Sequence, residues 1–289
     1  MKWFTGMLTN LLVGLVSGIL LLFNVSEIDT KQKPVDLTGY ELVFADEFDG
    51  DCLDETHWGA HNQPGVRRGG YWTTEQAVVE NGNLVIRTEY KTNGEFGAGW
   101  YTAGLSTKDL FEQTYGYFEC RCILPKGNGL WSAFWLTNRN VTNLTTGNAK
   151  KGAEIDVFES PFWHLGADRR NKVTSNIHYN GYKLLTRYKN VGITALDNDP
   201  YENYNTYGVL WTPDAYIFYI NGYEVARSAY GGVSEEDEYM ILSCEVEGAD
   251  AKPTHGWSGT IESNDKNSFT ADFIIEYVHA YQKTDLNRT

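Results

Sequence analysis

From Tyr40 onward the chain is a succession of short runs rich in β-branched and aromatic residues, each closed by Gly, Asn, Asp or Pro. ENGNLVIRTEY, YGYFECRCILP, GLWSAFWL, AEIDVFE, YGVLWT, AYIFYINGYEVA and FIIEYVHAY are the clearest of them. Such runs form strands and their boundaries form turns. No long stretch carries the 3.6-residue periodicity of a helix. The rhythm predicts an all-β sandwich or barrel. Asn221-Gly222, set between IFYI and YEVA, predicts a hairpin, because both central residues of such a turn tolerate positive φ. No internal repeat or second compositional zone interrupts the pattern, so one domain is expected over residues 39–283, with a short tail at 284–289.

Hydrophobic residues make up 42% of the 289, including 9 Trp, which is enough apolar material for one sizeable core. A net charge of -14 speaks against nucleic acid or an anionic membrane surface as partner, since both require concentrated Lys and Arg. The four cysteines are too few for a disulfide scaffold and match no zinc spacing. Cys120 and Cys122 stand two apart on a strand-like run, so both point the same way and read as buried free thiols.

Residues 1–23 hold one early cation, Lys2, and then a mostly apolar stretch that reads as a signal peptide or, if retained, an N-terminal anchor. Residues 24–38 are polar and read as a linker. Export to the extracellular space is the expectation, with membrane contact only if the first segment stays. Sequons occur at Asn24, Asn140 and Asn143.

The run Gly152-Ala153-Glu154-Ile155-Asp156-Val157-Phe158-Glu159 gathers three carboxylates in six residues of a strand-like segment. Alternation puts Glu154 and Asp156 on one face, with Ile155 and Val157 on the other. Strict alternation would then send Glu159 to the apolar side, so a one-residue bulge after Asp156 is expected to return it to the acids. Three adjacent carboxylates repel, which raises at least one pKa. Glycoside hydrolysis uses such a split, an ionised carboxylate to attack the anomeric carbon and a protonated carboxyl to assist the leaving group. A solvated acidic strand or a calcium-binding edge is the competing reading.

The ExDxxE pattern resembles the catalytic motif of glycoside hydrolase family 16, in its bulged, laminarinase-like form. Flanking segments are similar in order: YGYFECRCILPKGNGLWSAFWL before it, then YNTYGVLWTPDAYIFYINGYEV and IIEYVHAYQ. The resemblance runs from Phe44 to Gln282. It implies a jelly-roll β-sandwich of two antiparallel sheets with a concave substrate cleft, Glu154 as nucleophile, Asp156 as its hydrogen-bonding neighbour and Glu159 as general acid/base. It further implies a cleft lined by Glu119 and Arg121, by Trp131 and Trp135 on one face of GLWSAFWL, and by Asn176 and His178 in SNIHYNG. Trp72 and Trp163 extend the expected aromatic lining. No cofactor is implied for catalysis. A structural calcium would fall to Glu47, Gly82 and Glu276, although Glu276 stands where the family carries Asp.

The implied activity is retaining endo-hydrolysis of β-1,3- or mixed β-1,3/1,4-glucan by a monomer. RRGGYWTTEQ departs from the family's NxExQxY segment and bears on sugar preference. Its Arg67 and Arg68 keep open a galactan of the agar or carrageenan type. Transglycosylation through the same intermediate and a non-catalytic glucan-binding role complete the alternatives.

Overall fold

A computed structural model describes residues 25–141, 147–164, 167–182, 185–247, 258–261 and 269–284. The N-terminal apolar run and the sequons at Asn24 and Asn143 lie outside the described residues. Two large sheets dominate, with no α-helix among the described residues and only short 3-10 turns such as Thr74–Gln76 and Ala149–Lys151. No helix there is long and apolar enough to cross a membrane.

The first sheet has eight strands in the order Val25–Ser26, Arg187–Ala195, Lys172–Tyr179, Glu154–Pro161, Leu130–Thr137, Tyr239–Val246, Gly104–Ser106 and Gly59–Ala60. The second has eleven strands and is built around Gly116–Ile123, Thr270–Lys283 and Asn83–Gly94. Pairing is antiparallel except at Val25–Ser26 with Arg187–Ala195 and at Gly70–Trp72 with Gly97–Thr102. Hairpin neighbours such as Asn205–Trp211, Tyr216–Ile220 and Tyr223–Ser228 alternate with pairs distant in sequence, such as Leu130–Thr137 with Tyr239–Val246 and Gly116–Ile123 with Thr270–Lys283, as in a jelly roll, where strands cross between sheets.

Alternation explains how the sheets meet. Leu130, Phe134 and Leu136 turn inward from one strand, Val173 and Ile177 from another, and Met240, Leu242 and Cys244 from a third. From the opposite sheet come Leu84, Ile86, Phe118, Cys120, Cys122, Val209, Phe273 and Ile275. Phe158 and Tyr207 make ring contact across this core at 4.3 Å. The cysteines are free, and Cys120 and Cys122 are fully buried on one face as the sequence suggests. Asn221 and Gly222, with φ of 51° and 82°, join Tyr216–Ile220 to Tyr223–Ser228 in a two-residue hairpin. Both central residues being left-handed is what the right-handed twist of the flanking strands requires.

The inner residues of the eight-stranded sheet fix the outer ones by parity. With Leu130, Phe134 and Leu136 in the core, Trp131, Ala133, Trp135 and Thr137 face out; Asn176 and His178 do the same beside Ile177.

Candidate active site

Glu154–Pro161 lies between Leu130–Thr137 and Lys172–Tyr179 in the middle of the eight-stranded sheet. Across one neighbour the register runs Glu154 opposite Thr137, Asp156 opposite Trp135, then Phe158 opposite Phe134 and Glu159 opposite Ala133. Val157 is therefore the extra residue of a β-bulge. The other neighbour registers the same slip, with Asp156 opposite Asn176 and Glu159 opposite Thr174. Val157 and Phe158 both pack into the core, and Glu159 returns to the face of Glu154 and Asp156. The bulged carbonyl of Val157 accepts the Ser175 hydroxyl at 2.8 Å, so the slip leaves that acceptor satisfied.

The three acids sit in a cleft of about 930 Å³ with Trp131, Trp135, Asn176 and His178 in its lining. All three are buried: Glu154 is 9% exposed, Asp156 3% and Glu159 7%. Burial raises the Glu154 carboxyl to about 7, with the charge of Asp156 adding to it and His178 and the Tyr182 hydroxyl opposing. Burial pushes Glu159 well above its ordinary range, with the charges of Asp156 and Glu154 reinforcing it. Asp156 is also raised, by burial. Hydrogen bonds separate the outer two acids chemically. Tyr182 donates its hydroxyl to Glu154 Oε2 and Asn176 donates Nδ2 to Glu159 Oε2. Asn176 Oδ1 is fixed in turn by Asn190 Nδ2 at 2.9 Å and by the Tyr188 hydroxyl at 3.2 Å. His178 Nε2 stands 3.3 Å from Asp156 and 3.7 Å from Glu154.

The aromatic floor is fixed as firmly. Trp135 donates Nε1 to Ser243 Oγ at 3.1 Å and meets His61 edge-on at 5.3 Å. Arg68 stacks over Trp131 at 4.6 Å and pairs with Glu247 at 3.0 Å, while Arg67 pairs with Glu245 at 2.6 Å. Glu245 and Glu247 are buried, so the arginines supply charges that these carboxylates need.

Four sequence expectations require correction. Glu119 and Arg121 belong to the eleven-stranded sheet, where Cys120 and Cys122 take the core side and leave them on its outer face. There Glu119 accepts from the hydroxyls of Tyr117 at 2.7 Å and Tyr277 at 2.9 Å, and Arg121 pairs with Glu276. Neither lines the cleft. Trp72 is 3% exposed and donates Nε1 to the Cys244 carbonyl at 2.8 Å, supporting His61 and Arg67 from beneath instead of facing sugar. The expected calcium ligands do not converge: Glu47 is taken by His279 at 2.6 Å, Glu276 by Arg121, and Gly82 forms a two-residue hairpin turn with Asn81. Among the described residues the one cluster spaced for a metal is Glu154, Asp156 and His178. Trp163 pairs with Asp168 through its backbone, and its side chain lies outside the described residues.

The sequence reading missed Tyr182, Tyr188, His61, Ser243, Glu245 and Tyr239, all of which line the cleft. CEVE carried a signal for one of them: in a strand whose Cys244 and Val246 face the core, Glu245 must face the cleft. The arginine partners of Glu245 and Glu247 come from more than 170 positions earlier, which no local pattern reveals.

Comparison with known proteins adds three findings. Residues 41–283 match the family model described as the glycoside hydrolase family 16 domain of β-porphyranases A–D. A keratan-sulfate endo-1,4-β-galactosidase of Sphingobacterium multivorum is 28% identical over 257 residues, covering 85% of this chain and 56% of the relative, and a β-glucanase of Rhodothermus marinus is 27% identical over 264 residues, covering 84% and 85%. The laminarinase catalytic domain from Thermotoga maritima superposes with a TM-score of 0.65 at 25% identity, covering 84% of this chain and 98% of that one. The chain spans about half the galactosidase's length, and 33% and 39% of two further curated relatives. The matched model covers the strands that build both sheets and the bulged strand that carries Glu154, Asp156 and Glu159; the chain belongs to glycoside hydrolase family 16.

Proposed function

We propose that the protein is a retaining endo-acting glycoside hydrolase of β-1,3- or mixed β-1,3/1,4-glucan. The observation that carries this reading is the bulge at Val157, which sets Glu154 and Glu159 on one cleft wall with Asp156 between them. Glu154 receives the Tyr182 hydroxyl and faces His178, both of which favour its ionised form, so it attacks the anomeric carbon. Glu159 is held protonated by burial and by the charges beside it, and it donates to the departing glycosidic oxygen. The resulting glycosyl ester on Glu154 is then attacked by water, whose proton passes to Glu159. Asp156, expected to hydrogen-bond the nucleophile, instead acts on it by charge and through His178, which stands 3.3 Å from Asp156 and 3.7 Å from Glu154. Two carboxylates suffice for this chemistry, so no cofactor enters it. Trp131 and Trp135 offer flat apolar faces suited to the CH-rich sides of pyranose rings. The β-glucanase of Rhodothermus marinus supports the glucan reading over most of both chains.

A second substrate class has its own support. The matched family model is named for β-porphyranases, and Arg67, Arg68, Lys108 and Arg139 line the cleft of a chain whose net charge is -14. A galactan bearing anionic groups would find cations there. The apolar run in residues 1–23 supports export of the protein from the cell, where a polymer of either class would be met.

Reducing-sugar release from laminarin, mixed-linkage glucan, agarose, porphyran and carrageenan tests the proposal, with Glu154→Gln as control. Release from either glucan that vanishes in the control is the expected result. Release confined to the galactans would move the substrate assignment while keeping the machinery. Tight binding without release from any polymer would overturn the enzymatic reading.

A further inference from the structure

Glu154, Asp156 and His178 line the cleft and each offers one ligand atom, and those atoms all lie within 4.8 Å of one another. His178 Nε2 is 3.3 Å from Asp156 Oδ2 and 3.7 Å from Glu154 Oε1. A tetrahedral zinc ion with bonds of roughly 2.0–2.2 Å to nitrogen and oxygen holds neighbouring ligands roughly 3.3–3.6 Å apart. The Asp156 spacing falls in that range, the Glu154 spacing lies just outside it, and the two carboxylate atoms, within 4.8 Å of one another, would draw together around one small ion. A second observation points the same way. Asp156 is 3% exposed, and its Oδ2, the atom nearest His178, has no hydrogen-bond partner. A buried carboxylate oxygen left in that state is costly, and a cation removes the cost.

The donor set selects the ion. One imidazole nitrogen and two carboxylates suit zinc and its transition-metal neighbours, whereas magnesium and calcium favour all-oxygen shells of six or more ligands. The three ligands line an open cleft, which leaves the fourth position free for water.

We infer that the catalytic centre is also a binding site for one divalent ion of the zinc type, held by Glu154, Asp156 and His178, and that ion and polysaccharide exclude one another. The exclusion rests on Glu154 being the nucleophile; the binding of the ion does not. An ion on Glu154 withdraws the negative charge that the nucleophile needs, and it occupies the space beside the carboxylate that the reacting ring would take.

Calorimetric titration of the full chain with zinc chloride at neutral pH, in a non-chelating buffer and without sugar, tests the site. One ion per chain is expected, with affinity falling at least about tenfold in His178→Ala and in Asp156→Asn. Affinity should be unchanged in His57→Ala, whose imidazole neighbours Asp46 and Asp54 away from the cleft, and in Cys52→Ser, the exposed thiol. Calcium or magnesium at the same concentrations should give no comparable heat. Absence of stoichiometric binding, or binding that survives both His178→Ala and Asp156→Asn, overturns the site. Initial rates on the polymer that the enzyme cleaves then test exclusion: zinc should raise the apparent KM and leave kcat unchanged. Inhibition that lowers kcat alone would overturn it. A fully active Glu154→Gln would sink the hydrolase assignment while leaving the titration result intact.

Discussion

Ser175 donates its hydroxyl to the carbonyl of Val157 at 2.8 Å, and this bond holds the irregular point of the catalytic strand. Without an extra residue there, Glu159 would turn into the core and Phe158 into the cleft. Ser175→Ala removes the donor from a buried carbonyl, which costs about 1–3 kcal/mol. The variant should melt several degrees lower and lose more in kcat than in KM, since Glu159 loses its fixed position. A loss of stability with unchanged kcat would show that the bulge holds itself.

In the proposed mechanism protonation divides the work between Glu154 and Glu159. Burial raises the Glu154 carboxyl to about 7, with Asp156 contributing, so kcat/KM should fall roughly tenfold per pH unit well below that value as the nucleophile gains a proton. Burial and the charges of Asp156 and Glu154 raise Glu159 well above its ordinary range, and in the proposed mechanism its deprotonation sets the alkaline limb. Asp156→Asn removes a repelling charge, and the acidic limb of its residual activity should move to lower pH. An acidic limb that stays in place would mean that burial alone sets the Glu154 value.

Glu159→Ala removes the proposed proton donor. Turnover of polymer should fall about 10²–10⁴-fold, whereas aryl glycosides with good leaving groups should keep a fast first step. Equal losses on both substrates, measured by pre-steady-state release of the phenol, would contradict the acid role.

Glu238 is fully buried outside the cleft and accepts the Ala153 N–H at 3.1 Å, next to Glu154, while its Oε2 has no hydrogen-bond partner. Burial pushes its carboxyl from an ordinary 4.5 to about 8. A group raised on folding stabilises fully below its unfolded pKa, and that contribution is lost as pH rises through the folded value. Stability should therefore decline between about pH 4.5 and 8, by up to about 1.4 kcal/mol per unit for each such carboxyl. Glu238→Gln keeps the shape without the proton equilibrium, so its melting temperature should fall less steeply over that window. A slope identical to the parent's would show that Glu238 does not titrate there.

Arg68 covers the ring of Trp131. An exposed stack of this kind is worth about 0.5–1 kcal/mol, so Arg68→Ala should lower KM on neutral glucan by a factor of about 2–5 as the ring is freed. A raised KM, strongest on a sulfated galactan, would instead mark the guanidinium as a substrate contact.

The part of the site that was legible in the sequence is the part written in a single strand or its partners. Acids whose spacing breaks strict alternation announced the bulge, parity put Trp131 and Trp135 on one face, and the family resemblance named Asn176 and His178. The error at Glu119 and Arg121 came from joining parity to the family resemblance. Their alternation with Cys120 and Cys122 is real, but it states only that they face away from the core, and a sandwich has two such faces. Trp72 misled for another reason: a turn-flanked tryptophan carries no mark of whether its indole N–H has a buried acceptor, and here the Cys244 carbonyl supplies one. Tyr182 and the pairing of Arg67 and Arg68 with Glu245 and Glu247 depend on loops brought over the sheet by chain crossings, which local spacing does not record.

Trapping shows whether Glu154 forms the covalent bond to sugar. The enzyme is incubated with an activated 2-deoxy-2-fluoro glycoside of the sugar it cleaves, digested with a protease, and the labelled peptide sequenced by mass spectrometry. One glycosyl adduct per chain is expected, in the peptide spanning Glu154–Pro161 and on Glu154 itself. An adduct on Asp156 or Glu159 would contradict it, as would first-formed products of inverted anomeric configuration.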